Sequence, residues 1–340
     1  MISKKIILLF VFISLIIMIT GCGKLEAMKE MVTGSEEGVD TNESDTETTE
    51  ITLEDDEDGR DTIVYYKSKE NLLVPIKRSI SWETGIAQKT LNYMVKSSDN
   101  EKEMSSIGLE PLLPEGSEVL GMSIDEESGL CKVNFSKEIL NTEDKVEEVV
   151  LVNGLVYTLT EFPTISKVQF MIDGEVKETM TYGTDINDPI ERRDINLVDS
   201  NEGDSKIVVY YKGTTDGEYE YYVPVTETVA SQSPDMKIAL EELFNGAPES
   251  SGLYTDIPAG VELQGVELND GIVTIDLSES SKEKISSQST FDSMTKNIAL
   301  TLEQFNEIEK LEILINGETL KEAKMDISPV ESIPTFANEY

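Results

Sequence analysis

Apolar residues recur along this chain in three patterns: one continuous run at residues 6–18, short alternating runs, and longer stretches with apolar residues at helical spacing. β-Branched and aromatic residues dominate 63–66 and 207–211 and predict strands. In the later segment Thr215-Asp216-Gly217 turns the chain into a partner strand over 219–225, so a hairpin opens it. Next, Ala239, Leu240, Leu243 and Phe244 fall at helical spacing and stop at Asn245-Gly246, a helix C-terminal signal; Leu91, Met94 and Val95 are the earlier counterpart. A second hairpin runs over 261–268, crosses Asn269-Asp270-Gly271 and returns over 272–277. A second helix presents Met294, Ile298, Leu302 and Phe305. The last strand, 311–315, turns Leu311, Ile313 and Ile315 inward and ends at Asn316-Gly317.

These elements are written twice. Tyr65-Tyr66-Lys67 recurs as Tyr210-Tyr211-Lys212, and Val74-Pro75 as Val223-Pro224. Pro114, Gly116 and Gly121 recur as Pro258, Gly260 and Gly265; residues 129–136 (GLCKVNFS) match 271–278 (GIVTIDLS), and 168–175 (VQFMIDGE) match 311–318 (LEILINGE). The offset stays between 142 and 149, as small loop insertions produce, so the repeat is a duplicated domain. Leu151, Leu155, Leu159 and Phe162 match the second helix's apolar residues at a constant offset of 143, and a face retained between copies is one packed against a sheet. Each copy therefore reads as ββ-α-ββ-α-β in the α+β class, a sheet with both helices on one face. The predicted domains are 62–195 and 203–328, joined by a short polar connector that leaves them neighbours, with 329–340 as a C-terminal tail.

The segment before the repeat changes the picture. Lys4 and Lys5 precede the run at 6–18, which reads as a secretory signal peptide and is too short for a comfortable membrane span. It ends in Ile19-Thr20-Gly21-Cys22, which resembles the lipobox of bacterial lipoproteins. That resemblance implies removal of residues 1–21 and attachment of a diacylglycerol to the Cys22 sulfur, placing the protein on the outer face of the cytoplasmic membrane. Residues 35–61 are nearly all Glu, Asp, Thr, Ser and Gly, so 22–61 reads as anchor plus disordered tether, about 30 to 40 Å end to end on average. Glu54, Asp56, Asp58 and Gly59 mimic the opening of a calcium loop, but Tyr65 stands where its closing Glu belongs, so they read as solvated charge.

Composition excludes more than it selects. The chain carries 28 basic and 67 acidic residues, a formal net charge of −39, and no histidine. Such a surface repels nucleic acid and anionic headgroups. Without histidine, Ser-His-Asp and Cys-His centres and histidine-ligated metals cannot form within this chain. Ser98-Asp99-Asn100 and Ser293-Met294-Thr295-Lys296 are fragments of the penicillin-binding signature, but they stand in the wrong order and in different copies, and Glu83-Thr84-Gly85 lacks the lysine of the third motif. Among so many carboxylates no glycosidase pair stands out, and the strand carboxylate Asp276 is matched by Asn134. Once Cys22 is lipidated Cys131 has no disulfide partner; Val273 takes its place in the other copy, which marks a small buried hydrophobe. The single Trp82, near a predicted helix start, reads as packing. No catalytic residue, cofactor or metal site is predicted.

The phrase LVYTLTEFPTISKVQFMIDGE (155–175), with LPEGSEVLG (113–121) and the paired IPAGVELQG and VTIDLS, resembles the GerMN domain family of sporulation and spore-germination lipoproteins. The resemblance covers nearly all of 62–328, although LTLEQFNEIEKLEILINGE in the second copy departs from the motif. It implies a ring-building-type αββαβ core after each opening hairpin, no catalytic residues, and a place in the envelope assembly between mother cell and forespore. The expected function is a membrane-anchored interaction protein that docks envelope proteins, with assembly into homo- or hetero-oligomeric rings open; the alternative is a wall-active or glycan-binding protein. Tyr219, Tyr221 and Tyr222 crowd the second opening hairpin as candidate contact residues, with Tyr219 and Tyr221 expected on one face of a strand edge and Tyr222 on the other.

Overall fold

A computed structural model describes residues 59–81, 85–198, 205–215, 219–305, 308–330 and 333–339. The signal peptide, Cys22, most of the tether and Trp82 lie outside the described residues. Both copies of the repeat belong to one compact unit, residues 53–340.

In the first copy, β1 (Gly59–Lys67) and β2 (Leu73–Ser81) form the opening antiparallel hairpin. Two helices follow, α1 (Ile86–Asn92) and α2 (Ser98–Ser106). Then come β3 (Val119–Asp125), β4 (Leu130–Phe135), α3 (Lys145–Thr160), β5 (Lys167–Ile172) and the short β6 (Ile190–Glu191). The second copy runs β7 (Ser205–Thr215), β8 (Tyr219–Val229), α4 (Met236–Asn245), β9 (Leu263–Asn269), β10 (Ile272–Leu277), α5 (Gln288–Leu302), β11 (Lys310–Ile315) and β12 (Glu318–Thr319), with no α-helix among the described residues in the place of α2 and with β12 against the end of β11, unlike β6. In each sheet β3 or β9 is antiparallel to the central strand, and the strand after the long helix returns parallel to it. Cys131 faces Val168 in this register as Val273 faces Leu311, and both Cys131 and Val273 are fully buried.

The layering differs from one sheet with two helices on a single face. Each opening hairpin is a separate two-stranded sheet, and the long helix lies between it and the larger sheet, with α3 touching β1 and β5 and α5 touching β7. Hence α3 is buried on several faces: Leu151, Leu155 and Leu159 are inaccessible, and so are Val152, Val156 and Thr158 nearly or entirely. The helix must also satisfy the hairpin's backbone. Thr158 Oγ1 accepts from Tyr65 N at 3.1 Å, and its equivalent Thr301 Oγ1 accepts from Tyr210 N at 3.1 Å. Gly154, mid-helix, allows a close approach: a Cβ there would stand 2.2 Å from Leu112 Cδ1.

The first copy's early helix also departs from the expected pattern. Helix α1 ends at Asn92, before Met94 and Val95, and Ser97 caps a further helix by accepting from Asn100 N at 3.3 Å. Asn100 Nδ2 donates to the carbonyls of Asn92 and Val95, both at 2.8 Å, so Ser98-Asp99-Asn100 is a helix start held by its own loop.

Two asparagines join the copies, each at the same place in its repeat. Asn196 Oδ1 accepts from Leu73 N at 2.7 Å while its Nδ2 donates to Leu73 O (2.9 Å) and Pro224 O (2.8 Å). Asn338 Oδ1 accepts from Tyr222 N at 2.7 Å while its Nδ2 donates to Tyr222 O and Pro75 O, both at 2.8 Å. A carboxamide has one acceptor and two donors, so it pairs with one strand residue as a backbone would and still reaches the other strand. Segment 329–340, expected as a tail, therefore supplies half of the seam between β2 and β8.

Candidate interaction site

The site is built around the second opening hairpin, where the three tyrosines were expected to face a partner. Of the three only Tyr219 is exposed, at 37%; Tyr221 and Tyr222 retain 4% and 6%. The expectation that Tyr221 and Tyr222 form an outward edge is corrected by what lies against them. Tyr221 pairs with Gly213 across the hairpin and covers it, so close that a Cβ on Gly213 would stand 2.9 Å from the ring. Tyr222 turns toward α5, and its backbone edge is already occupied by Asn338.

Tyr222 belongs to a polar cluster. Its hydroxyl donates to Asp256 Oδ2 at 2.6 Å, and Lys212 Nζ sits 2.9 Å from Asp256 and 3.0 Å from Glu220. Tyr254 completes the ring by donating to Glu220 at 2.8 Å. Lys212 and Lys296 stand over the Tyr222 ring at 5.4 and 5.3 Å. Asn297, fully buried on α5, accepts from Asp256 N at 2.9 Å and donates to Tyr210 O at 2.7 Å.

The electrostatics follow from that pairing. Burial, and then the bond to Asp256, push the Tyr222 hydroxyl well above its ordinary range, so it stays a donor. Burial works against the charge on Lys212, but Asp256 and Glu220 outweigh it and hold its ammonium above the usual lysine value. Burial lowers Lys296. The bonds from Tyr254 and Lys212 keep Glu220 below the usual carboxylate range.

The first copy has no such cluster, and the repeat shows why. Leu73, Leu112 and Gly154 stand where the second copy has Tyr222, Asp256 and Asn297. An apolar triple has become a polar one as a set: Tyr222 donates to the Asp256 carboxylate and Asn297 accepts from the Asp256 backbone N–H, so each supplies a partner that leucine or glycine cannot. Lys67, the equivalent of Lys212, instead pairs with Glu110 at 3.3 Å. Outward, the cluster leaves Tyr219, Glu220 and Tyr254 as its rim, all exposed. No sequence signal marked Tyr254 or Asp256, because they reach this place only through folding.

Other residues singled out by sequence have structural work. Asn134 Oδ1 accepts from Gly174 N and Asp276 Oδ1 from Gly317 N, both at 2.8 Å, so the position needs an oxygen acceptor and a carboxylate serves as well as an amide. Burial pushes the Cys131 thiol up to about 12. Ser293 contributes a backbone carbonyl near Tyr222, and Lys296 lies on that ring. Among the described residues no group of three or more Cys, Asp or Glu could hold a metal, and no helix is long and apolar enough to cross a membrane.

Comparison with known proteins agrees with the duplication. A family model described as sporulation and spore germination, Germane, matches residues 63–178 and again 208–321. The spore germination protein GerM of Bacillus subtilis (strain 168) is 32% identical over 248 residues, 68% of this chain and 65% of that protein's own length. The solved structure of the tandem GerMN domains of the sporulation protein GerM from Bacillus subtilis superposes with a TM-score of 0.68 at 27% identity, covering 83% of this chain and 99% of that one.

Proposed function

We propose, for a chain that belongs to the Germane family of sporulation and spore-germination proteins, that it acts as a lipoprotein held by Cys22 on the outer face of the membrane, where its joined copies dock other envelope proteins. One observation carries this reading: the asparagine pair locks two copies of a domain into a single body with distinct outer surfaces. A fixed pair of unequal modules suits a scaffold that holds partners in one geometry. In the second copy's cluster Lys212, Asp256 and Glu220 are bonded to one another, which ties these charges into the structure. A long acidic leash between Cys22 and the body would let it reach partners away from the membrane.

Photo-crosslinking in sporulating cells from a probe at Tyr219 should capture discrete envelope proteins, and Cys22→Ala should move the protein out of the washed membrane fraction. Retention of that variant in membranes, or cleavage of peptidoglycan by the purified protein that one carboxylate substitution abolishes, would overturn the reading.

A further inference from the structure

The two copies differ at the outer edge of their larger sheets. In the first, β6 pairs with β5, Ile190 opposite Val168 and Glu191 opposite Lys167. The segment leading to it is latched by Gln169, whose amide donates to Ile186 O (3.2 Å) and Asn187 O (3.1 Å). Ile186, Ile190 and Ile195 are sealed inside.

In the second copy the same edge is open. Lys310, Leu311 and Glu312 are the equivalents of Lys167, Val168 and Gln169, yet among the described residues no strand pairs with β11 at 310–313 on the side away from β10; β12 reaches only Leu314 and Ile315. Lys310 N bonds inward to Gly271 O, so the N–H and C=O groups of Leu311 and Ile313 point to the open side. The latch is lost by chemistry: the carboxylate of Glu312 cannot donate to a carbonyl as Gln169 does. The following segment stands off, pinned at Ser328 to Gln288 of α5 (2.8 and 3.0 Å), with Met325, Ile327 and Val330 only half-buried. Between it and β11 lies a cavity of about 760 Å³, floored by Leu311 and Ile313 and walled by Phe291, Met325, Ile327 and Val330. The exposed side chains of Lys310 and Glu312 make no hydrogen bond or ion pair among the described residues.

We infer that this groove binds an extended segment of a partner protein, which adds to β11 as an antiparallel strand in the place β6 takes in the first copy. The first copy supplies the template for the occupant. An apolar residue sits opposite Leu311, an acidic residue follows it opposite Lys310, and a basic side chain three residues before the apolar one reaches Glu312. Main-chain bonds to Leu311 and Ile313 supply affinity, while the apolar pocket and the two charges supply selection. The inference rests on the interaction reading above for its biological use, but not for its chemistry.

The probe is a synthetic peptide of this chain's residues 185–192 carrying Asn187→Lys, titrated into the full chain by fluorescence anisotropy, with amide exchange followed at β11. The peptide should bind and should slow exchange at Leu311 and Ile313, which are fast in the free protein. Lys310→Glu, at an exposed side chain, should weaken binding about fivefold, and a peptide that also carries Glu191→Lys should recover it; cross-strand charge pairs have about that worth. Lys167→Glu, on the occupied edge, should leave binding unchanged. Slow exchange at Leu311 and Ile313 before peptide is added, no binding at about millimolar peptide, or equal weakening of both peptides by Lys310→Glu would overturn the inference. Crosslinked partners persisting after such a failure would leave the scaffold reading in place and move its surface elsewhere.

Discussion

Asn338→Ala tests the seam most directly. It removes three side-chain hydrogen bonds from a residue only 5% exposed, leaving Tyr222 N–H, Tyr222 O and Pro75 O without these partners. At about 1 kcal/mol for each bond, the loss is about 3 kcal/mol. For a body of this size that corresponds to a fall of about 6 to 12 °C in Tm. Asn338→Asp should cost more, because a carboxylate would face two carbonyl oxygens with no donor. Asn196→Ala removes the matching set and adds about 1 kcal/mol, since Asn196 has φ 48° and alanine tolerates left-handed backbone poorly. Urea denaturation of the full chain, followed by circular dichroism, measures all three. An Asn338→Ala protein within about 0.5 kcal/mol of the parent, the range of an ordinary surface change, would refute the argument that the C-terminal segment closes the seam.

Three further outcomes follow from contacts described above. Tyr221→Glu should unfold the second copy by burying a charge, whereas Tyr219→Glu should leave the melt unchanged and alter only crosslinking; matching melts for the two would place Tyr221 at the surface. Asp276→Asn should match the parent within about 0.5 kcal/mol while Asp276→Ala loses about 1 kcal/mol, because only the oxygen that accepts from Gly317 N is needed. Burial alone would raise Glu147, but the bonds from Lys96 and Glu143 N hold its carboxyl below the usual value. A depressed folded-state value stabilises the protein above the unfolded pKa of about 4.3 and is lost as pH falls through the lower folded value. Denaturation midpoints against pH should therefore fall less steeply below about pH 4 in Glu147→Gln than in the parent; parallel curves would remove Glu147 from the acid response.

What could be read from the chain alone was whatever depends on neighbours in sequence. Turn signals at Asn269-Asp270-Gly271 and Asn245-Gly246 act locally, and the period of apolar residues marks a buried face wherever the helix docks. Duplication supplied a second reading of each element, so Cys131 was recognisable as a hydrophobe from Val273 alone. That logic failed where the second copy's residues changed as a set. Tyr222, Asp256 and Asn297 come from three separate segments, and nothing in any one of them shows that the others replace Leu73, Leu112 and Gly154. Alternation along β8 placed Tyr221 and Tyr222 on opposite faces, but only packing decides that both are buried, Tyr221 laid over Gly213 of the same hairpin and Tyr222 turned against α5. Asn338 carries the same lesson. In sequence it is a polar residue near a terminus; its role arises because the fold brings Tyr222 and Pro75, on strands of different copies, within reach of one carboxamide.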